Sequence, residues 1–588
     1  MGARGEAKQL IERYGLGIAV TPSDVNAFKE SIIKIANGTF QYNPTTKKLA
    51  ASRDRKLRAL DQPGRSAVYA ANGMAATSHP LATITAITLL QQGGNAMDAA
   101  IAACAVLCVV EPHSTGIGGD CFCLYSPKGQ GVVAFNGAGR APAAATIDWY
   151  RDQGIRAIER HSPHAITIPG AIDAWSQLLA DHGTMSLGEL LQPAIRFAAD
   201  GFSVHHRQQS DWQGCERLLA RDPTAASAYL MDGKAPSIGA LVKFPLLARS
   251  LETIAEGGRT GFYEGWIAAD MVDYLREKGG LHTLDDFASA RGDYVTPVKT
   301  GYRGYEVYEC PPPGQGIVAL AMLNILSGFD LAALAPLSVD RFHLEIEAAR
   351  LAYNDRAAAL GDPDFASIPV DDWLSAAHAD AERARIHRDR RMANLPPSGL
   401  PNHEDTVYLT IVDADRNSVS FINSLFASFG SCLVAPQSGI VLHNRGTGFV
   451  LEAGHPNCIA PNKRPLHTII PGMLVRDGRT EMPFGVMGGH YQAIGHAHVL
   501  TNVIDYGMDL QDAIDMTRVF PDVLGQTESV MIESGLPPKI RAGLTRLGHR
   551  LAPSPNPIGG GQAIRIDWDQ GVLSGASDPR KDGMAVGY

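Results

Sequence analysis

Apolar and polar residues alternate from Val407 to Val412 within "NHEDTVYLTIVDADRNSVSFIN" (402–423), break at Asp413–Asn417 and resume from Ser418. A period of two on both sides of an Asp/Asn-rich turn predicts a β-hairpin. Upstream, from "NGMAATSHPLAT" onward, compact apolar strands alternate with Ala-rich helices. One helix is predicted from Pro80 to a stop at Gly93-Gly94, and a second from Asn95 to about Val110. The glycines of "STGIGGDCFCLY" mark a tight turn that feeds a strand. Residues 160–395 read as mainly helical, as in "PGAIDAWSQLLADHG" and "SVDRFHLEIEAARLAYNDRAAALGD". In the latter, Arg341 with Glu345 and Glu347 with Arg350 have the spacing of solvated helix-surface ion pairs. Residues 378–391 read as a charged, solvated helix, followed by the Pro-rich "ANLPPSGLPNHED", an exposed loop of cleavable character that leads into Thr406. Beyond it "GIVLHN", "TIIPGMLVRDG" and "MPFGVMGGH" read as strands and "QAIGHAHVLTNVIDYG" and "DLQDAIDMTRVF" as helices. Sheets with helices on both sides predict an α/β sandwich.

Composition narrows the function classes. The 588 residues exceed what one small core organises, and 45% hydrophobic with 19% charged residues is an ordinary globular balance. A net charge of −9 argues against nucleic acid as a partner. The eight cysteines have no zinc-ligand spacing. Cys121 and Cys123 share one strand face, which predicts packing and not metal, and a reducing compartment is the default for so large a chain. The beginning "MGARGEAKQLIERYGLGIAV" lacks the apolar run of a secretory signal. The most apolar helix carries Asp98 and ends at Glu111-Pro112, too short for a bilayer. These features predict a cytoplasmic protein with no membrane partner. Residues 1–66 differ, with twelve Lys/Arg against six Asp/Glu, and read as a basic extension of helix plus linker. The Gly-rich loop before Asp120 lacks the following helix and lysine of a phosphate-binding loop.

A threonine at the start of a buried strand is unremarkable by propensity alone. Eight stretches change that picture: "NGMAATSHPLAT", "GGNAMDAAIAACAVLCVVEPHSTGIGGD", "GYRGYEVYECPPPGQG", "LGDPDF", "DTVYLTIVD", "PNKRPLHTIIP", "VMGGH" and "SGASDPRKDGMAVGY". Together, from about residue 70 to 588, they resemble the gamma-glutamyltransferase (glutathione hydrolase) family of N-terminal nucleophile hydrolases. The resemblance implies a stacked αββα fold and a precursor that cuts itself between Asp405 and Thr406, giving a large subunit (67–405 beyond the extension) and a small one (406–588). It implies Thr406 as nucleophile, with its own liberated α-amino group as base and no cofactor or metal. That chemistry is sound, because a hydroxyl needs an adjacent base and an α-amino group has a pKa near 8. Gly488 and Gly489 would supply oxyanion N–H donors, and Ser424 would bond the threonine.

The family's glutamyl-binding set is altered. Phe426 stands where the resemblance calls for asparagine, and "HNRGTGF" brings Arg445 and Gly448 where an amide and an acid would bind a substrate ammonium. His467 and Thr468 replace paired serines. Ala138 takes the place of a carboxylate-binding arginine, with Arg140 two residues later. A pocket of Arg445, His467, Thr468, Phe426 and Arg140 should prefer an anionic or neutral acyl group over a zwitterionic one. The combination resembles the branch containing oxamate amidohydrolase and cephalosporin acylase-like proteins. It predicts hydrolysis of a small carboxylate-bearing amide. Cleavage of γ-glutamyl amides such as glutathione is the alternative, and an unprocessed, non-catalytic scaffold a third reading.

Overall fold

The structure, a computed structural model, describes residues 64–396 and 406–588. The basic extension up to residue 63 and the junction residue Asp405 lie outside the described residues.

Two seven-stranded sheets form the centre. One runs Met584–Gly587, Met74–Thr77, Val407–Val412, Ser418–Ser424, Asp120–Ser126, Val133–Gly137, Asp293–Val295, every neighbour antiparallel. The other runs Val68–Ala70, Val572–Ser577, Gly560–Asp567, Arg479–Met487, Gly472–Arg476, Tyr305–Glu309, Val298–Tyr302, likewise antiparallel.

The period-two pattern of the hairpin explains the layering. Val407, Leu409 and Ile411 pack on the helix Ala96–Val110, whereas Tyr408 faces the second sheet with Phe122, Met473 and Met487. Both faces of this strand are therefore buried, and its polar members are satisfied inside: Tyr408 shares a hydrogen bond with Ser420 Oγ and Thr410 donates to the Val419 carbonyl. The helices Gly316–Ser327 and Gln492–Ile504 cover the outer face of the second sheet. Helix, sheet, sheet, helix is the sandwich that the alternating elements predict.

Local chemistry fixes the ends of these elements. Asn95 caps the helix Ala96–Val110 through a reciprocal capping box with Asp98. The hairpin turn locks onto the same helix start, where Asp413 accepts from the backbone N–H of Ala96 and of Asn417. Cys121 and Cys123 pack on one face of their strand, and all eight cysteines are free thiols. Among the described residues no helix is long and apolar enough to cross a membrane.

Two expectations need correction. The charged residues of the helix Val339–Ala359 are not solvated: Arg341 and Glu347 are fully buried, and Glu345 and Arg350 nearly so. Neighbouring elements pack against the helix on several sides, so charges that would sit on the surface of a lone helix meet them, as where Arg341 reaches Asn502 on another helix. The charged helix predicted for 378–391 is shorter, Ala376–Ala384. After it the backbone turns, and the His387 carbonyl accepts from the His343 ring.

Candidate active site

Thr406 sits at the mouth of the strand Val407–Val412 and is 1% exposed. Its Oγ1 lies 3.1 Å from Ser424 Oγ, on the neighbouring strand of the hairpin. Ser424 Oγ also accepts from the Phe426 backbone N–H at 2.9 Å, which holds it in place beside the threonine oxygen. The hairpin register pairs Val407 with Asn423, and Asn423 is tied down by Thr115 and the Gly116 carbonyl.

Directly across from Ser424, in register on the next strand, is Asp120. It is fully buried, with both oxygens hydrogen-bonded. Oδ1 accepts from the backbone N–H groups of Gly139 (3.0 Å) and Gly170 (3.1 Å), and Oδ2 from His467 Nε2 at 3.0 Å. His443 Nδ1 lies 3.5 Å and Arg445 Nε 3.9 Å from the same oxygen. Burial alone would raise the Asp120 pKa, but His443, His467 and Arg445 outweigh it and hold the carboxyl at about 2. The two histidines are neutral: burial pushes both down, His467 to about 3 with Arg445 adding to the effect.

Arg445 is the second charge, also fully buried. Nη1 donates to Thr468 Oγ1 at 3.1 Å, and the guanidinium lies over the Phe426 ring at 4.4 Å. Nε and Nη2 have no hydrogen-bond acceptor. Burial lowers the Arg445 pKa to about 9 against the pull of Asp120, so it stays charged at neutral pH. Phe426 takes φ 80°, a left-handed conformation that a bulky residue adopts only under constraint. Its N–H to Ser424 and its ring beneath Arg445 supply that constraint.

The Gly488-Gly489 pair ends the strand Arg479–Met487 and opens into the helix Gln492–Ile504. Gly488 has φ 120°, and a Cβ there would stand 2.8 Å from Gly559 Cα, so only glycine fits. The preceding strand lies hard against the Thr406 strand, since a Cβ at Gly485 would meet the Tyr408 ring at 2.4 Å. Gln315 ties the glycine turn to the arginine pocket: its Nε2 donates to the carbonyls of Thr468 (2.8 Å) and Gly489 (3.0 Å).

The structure thus gathers Thr406, Ser424, Phe426, Arg445, His467, Thr468 and Gly489 into one chain of contacts. Arg140 is not part of it. Its guanidinium is about a third exposed, 3.3 Å from Asp364 and 3.5 Å from Asp293. Three members of the network went unnoticed in the sequence, namely Asp120, His443 and Gln315. Each lies inside a stretch that reads as a turn or strand end, with its partners up to 347 positions away. Elsewhere, His343, Glu347 and His549 come close enough to share a metal ion. However, Glu347 is engaged by Arg350 and the Met392 N–H, and the two histidines bond each other.

Residues 82–588 match the family described as gamma-glutamyltranspeptidase. The chain is 38% identical over 520 residues to a glutathione hydrolase-like YwrD proenzyme of Bacillus subtilis (strain 168), covering 87% of this chain and 98% of the relative. It is 32% identical over 532 residues to an oxamate amidohydrolase proenzyme of Klebsiella pneumoniae, covering 88% and 98%. The crystal structure of a cephalosporin acylase from Bacillus halodurans superposes with a TM-score of 0.84 at 36% identity, covering 91% of this chain and 99% of that one. A family match across most of the chain, full-length relatives that are hydrolases by name and a shared sandwich lead to one conclusion: the chain is an enzyme of the gamma-glutamyltranspeptidase family, with the N-terminal nucleophile hydrolase fold.

Proposed function

We propose that the chain is a precursor that cuts itself between Asp405 and Thr406, and that the new terminal threonine hydrolyses the amide bond of a small carboxylate-bearing substrate. Thr406 Oγ1 attacks the amide carbon as its α-amino group takes the hydroxyl proton. The tetrahedral oxyanion rests on the backbone N–H groups of Gly488 and Gly489, a kind of contact worth ~3 kcal/mol per donor in the transition state. The proton passes to the departing amine, an acyl-Thr406 ester remains, and water attacks it in the mirror of the first step.

The observation that carries the substrate class is the unequal satisfaction of the two buried charges. Asp120 is fully buried, has both oxygens hydrogen-bonded and is ringed by two histidines and Arg445, a setting ill suited to a substrate ammonium. Arg445 keeps Nε and Nη2 without an acceptor, the geometry in which a guanidinium takes a carboxylate. Cleavage of γ-glutamyl amides is the second reading, and the 38% identity to a glutathione hydrolase-like protein favours it. Oxamate, and glutathione with and without glycylglycine, separate the two. Ammonia release from oxamate with glutathione inert supports the first reading. Glutathione turnover stimulated by glycylglycine, with oxamate inert, overturns it.

A further inference from the structure

Beneath the glycine turn lies another buried cation, Arg356, fully enclosed near the end of the helix Val339–Ala359. Among the described residues no carboxylate pairs with it. Nη1 donates to Gln315 Oε1 at 2.7 Å and sits 2.8 Å from His490 Nδ1. The Tyr353 ring lies 4.5 Å from the guanidinium, and the Tyr353 hydroxyl donates to the His490 carbonyl. Nε and Nη2 have no acceptor. Burying an ion without a counter-ion is expensive, so a fold that only needed to fill this space would hold an apolar residue there.

The contacts say what the charge is arranged to do. Arg356 fixes the Gln315 carboxamide in one orientation, because its Oε1 must accept and its Nε2 must then donate. That Nε2 grips the carbonyls of Thr468 and Gly489. Through His490 the same guanidinium holds the residue that follows the glycine pair. We propose that Arg356 is a positioning residue for the oxyanion site: it sets the Gly488-Gly489 turn from behind and places an uncompensated positive charge on the side where the tetrahedral oxygen turns negative. The inference rests on the amidohydrolase reading above. Its effect falls mainly on the transition state, since Arg356 contacts the turn through Gln315 and His490 and makes no hydrogen bond or ion pair of its own with Arg445.

The test uses the self-cut enzyme and whichever of oxamate or glutathione the wild type hydrolyses, with methylboronic acid as a probe that forms an anionic tetrahedral adduct. Arg356→Met should lower kcat by roughly ten- to a hundredfold, the scale of a lost oxyanion contact, with KM within about threefold. The boronic acid should lose affinity by a similar factor. Arg356→Lys, which keeps the charge and loses the fork, should fall between the two, and it carries the test if the methionine variant does not fold. Gln315→Leu should reproduce the kcat loss, and the double variant should be no worse than the poorer single, because the two residues act as one unit. A folded Arg356→Met with kcat within about twofold of wild type, or losses that multiply in the double variant, would overturn the assignment. An inactive wild type would instead sink the amidohydrolase reading itself.

Discussion

At Arg445 the protein keeps a fully buried guanidinium whose Nε and Nη2 make no hydrogen bond, with Nε 3.9 Å from Asp120 Oδ2. A substrate carboxylate bound there gains charge-assisted hydrogen bonds, worth about 1.5–3 kcal/mol each. Arg445→Met should therefore lower kcat/KM for a carboxylate-bearing amide by roughly ten- to a hundredfold, and Arg445→Lys should restore little of it, because an ammonium lacks the planar fork. Steady-state kinetics on the folded variants decides this, and an unchanged kcat/KM would remove Arg445 from the substrate's path. Arg445, His467 and Thr468 were legible in the sequence because each falls inside a stretch that resembles a family motif while departing from it. Asp120 was not, because nothing in "GIGGDCF" distinguishes a strand-start acid from one that gathers two histidines and an arginine. Arg140 read as an anchor by its position in "NGAGRAP", yet its side chain turns outward to Asp293 and Asp364.

Among elements, the hairpin carries Thr406, the proposed nucleophile, and the glycine turn carries the proposed oxyanion donors. Its layout was readable from the period-two pattern and the Asp413–Asn417 turn. The Gly488 turn admits no side chain, so Gly488→Ala must shift the backbone against Gly559. Activity should fall by about a hundredfold or more, as on loss of an oxyanion donor, while secondary structure by circular dichroism stays intact. The helix Val339–Ala359 teaches the opposite lesson about legibility. Its spacing of charges predicts solvated pairs, but the sequence does not record that later strands and helices close over it. Glu345, buried beside Arg341, is held at about 2: burial would raise it, and Arg341 and His498 outweigh burial. Glu345→Gln leaves Arg341 buried without its counter-ion and should destabilise the protein by about 3–5 kcal/mol. Arg385→Ala, which removes a half-exposed partner of Glu382, should change stability by less than about 0.5 kcal/mol. Urea unfolding midpoints check both.

Over the whole molecule, histidine burial sets the acid limit of stability. Burial holds His79, His467 and His549 near 3 and His282 near 4, all below the ordinary 6.5. Unfolding frees these rings to take up protons between those values and 6.5, so the unfolded state binds more protons and stability falls as pH drops through that window. Near pH 5 each such ring disfavours the native state by about 2 kcal/mol. Asp120, held at about 2, works lower down: its contribution is present above the ordinary carboxylate value and is lost only as pH falls toward 2. A urea midpoint that drops steeply from pH 7.5 to 5 is the expected result, and a flat midpoint would contradict the neutral-histidine assignment. At this scale the αββα order was readable from alternating strands and helices. The stacking that packs the strand ending in the Gly488-Gly489 turn against the Thr406 strand was not, because it depends on contacts between chain segments that only folding unites.

The central claim is that Thr406 becomes a chain terminus and the nucleophile. Intact mass spectrometry of the purified wild type beside Thr406→Ala tests it most directly. Two wild-type chains of 405 and 183 residues, with the alanine variant uncut and inactive, is the predicted result. A single 588-residue chain in both samples after long incubation would contradict it.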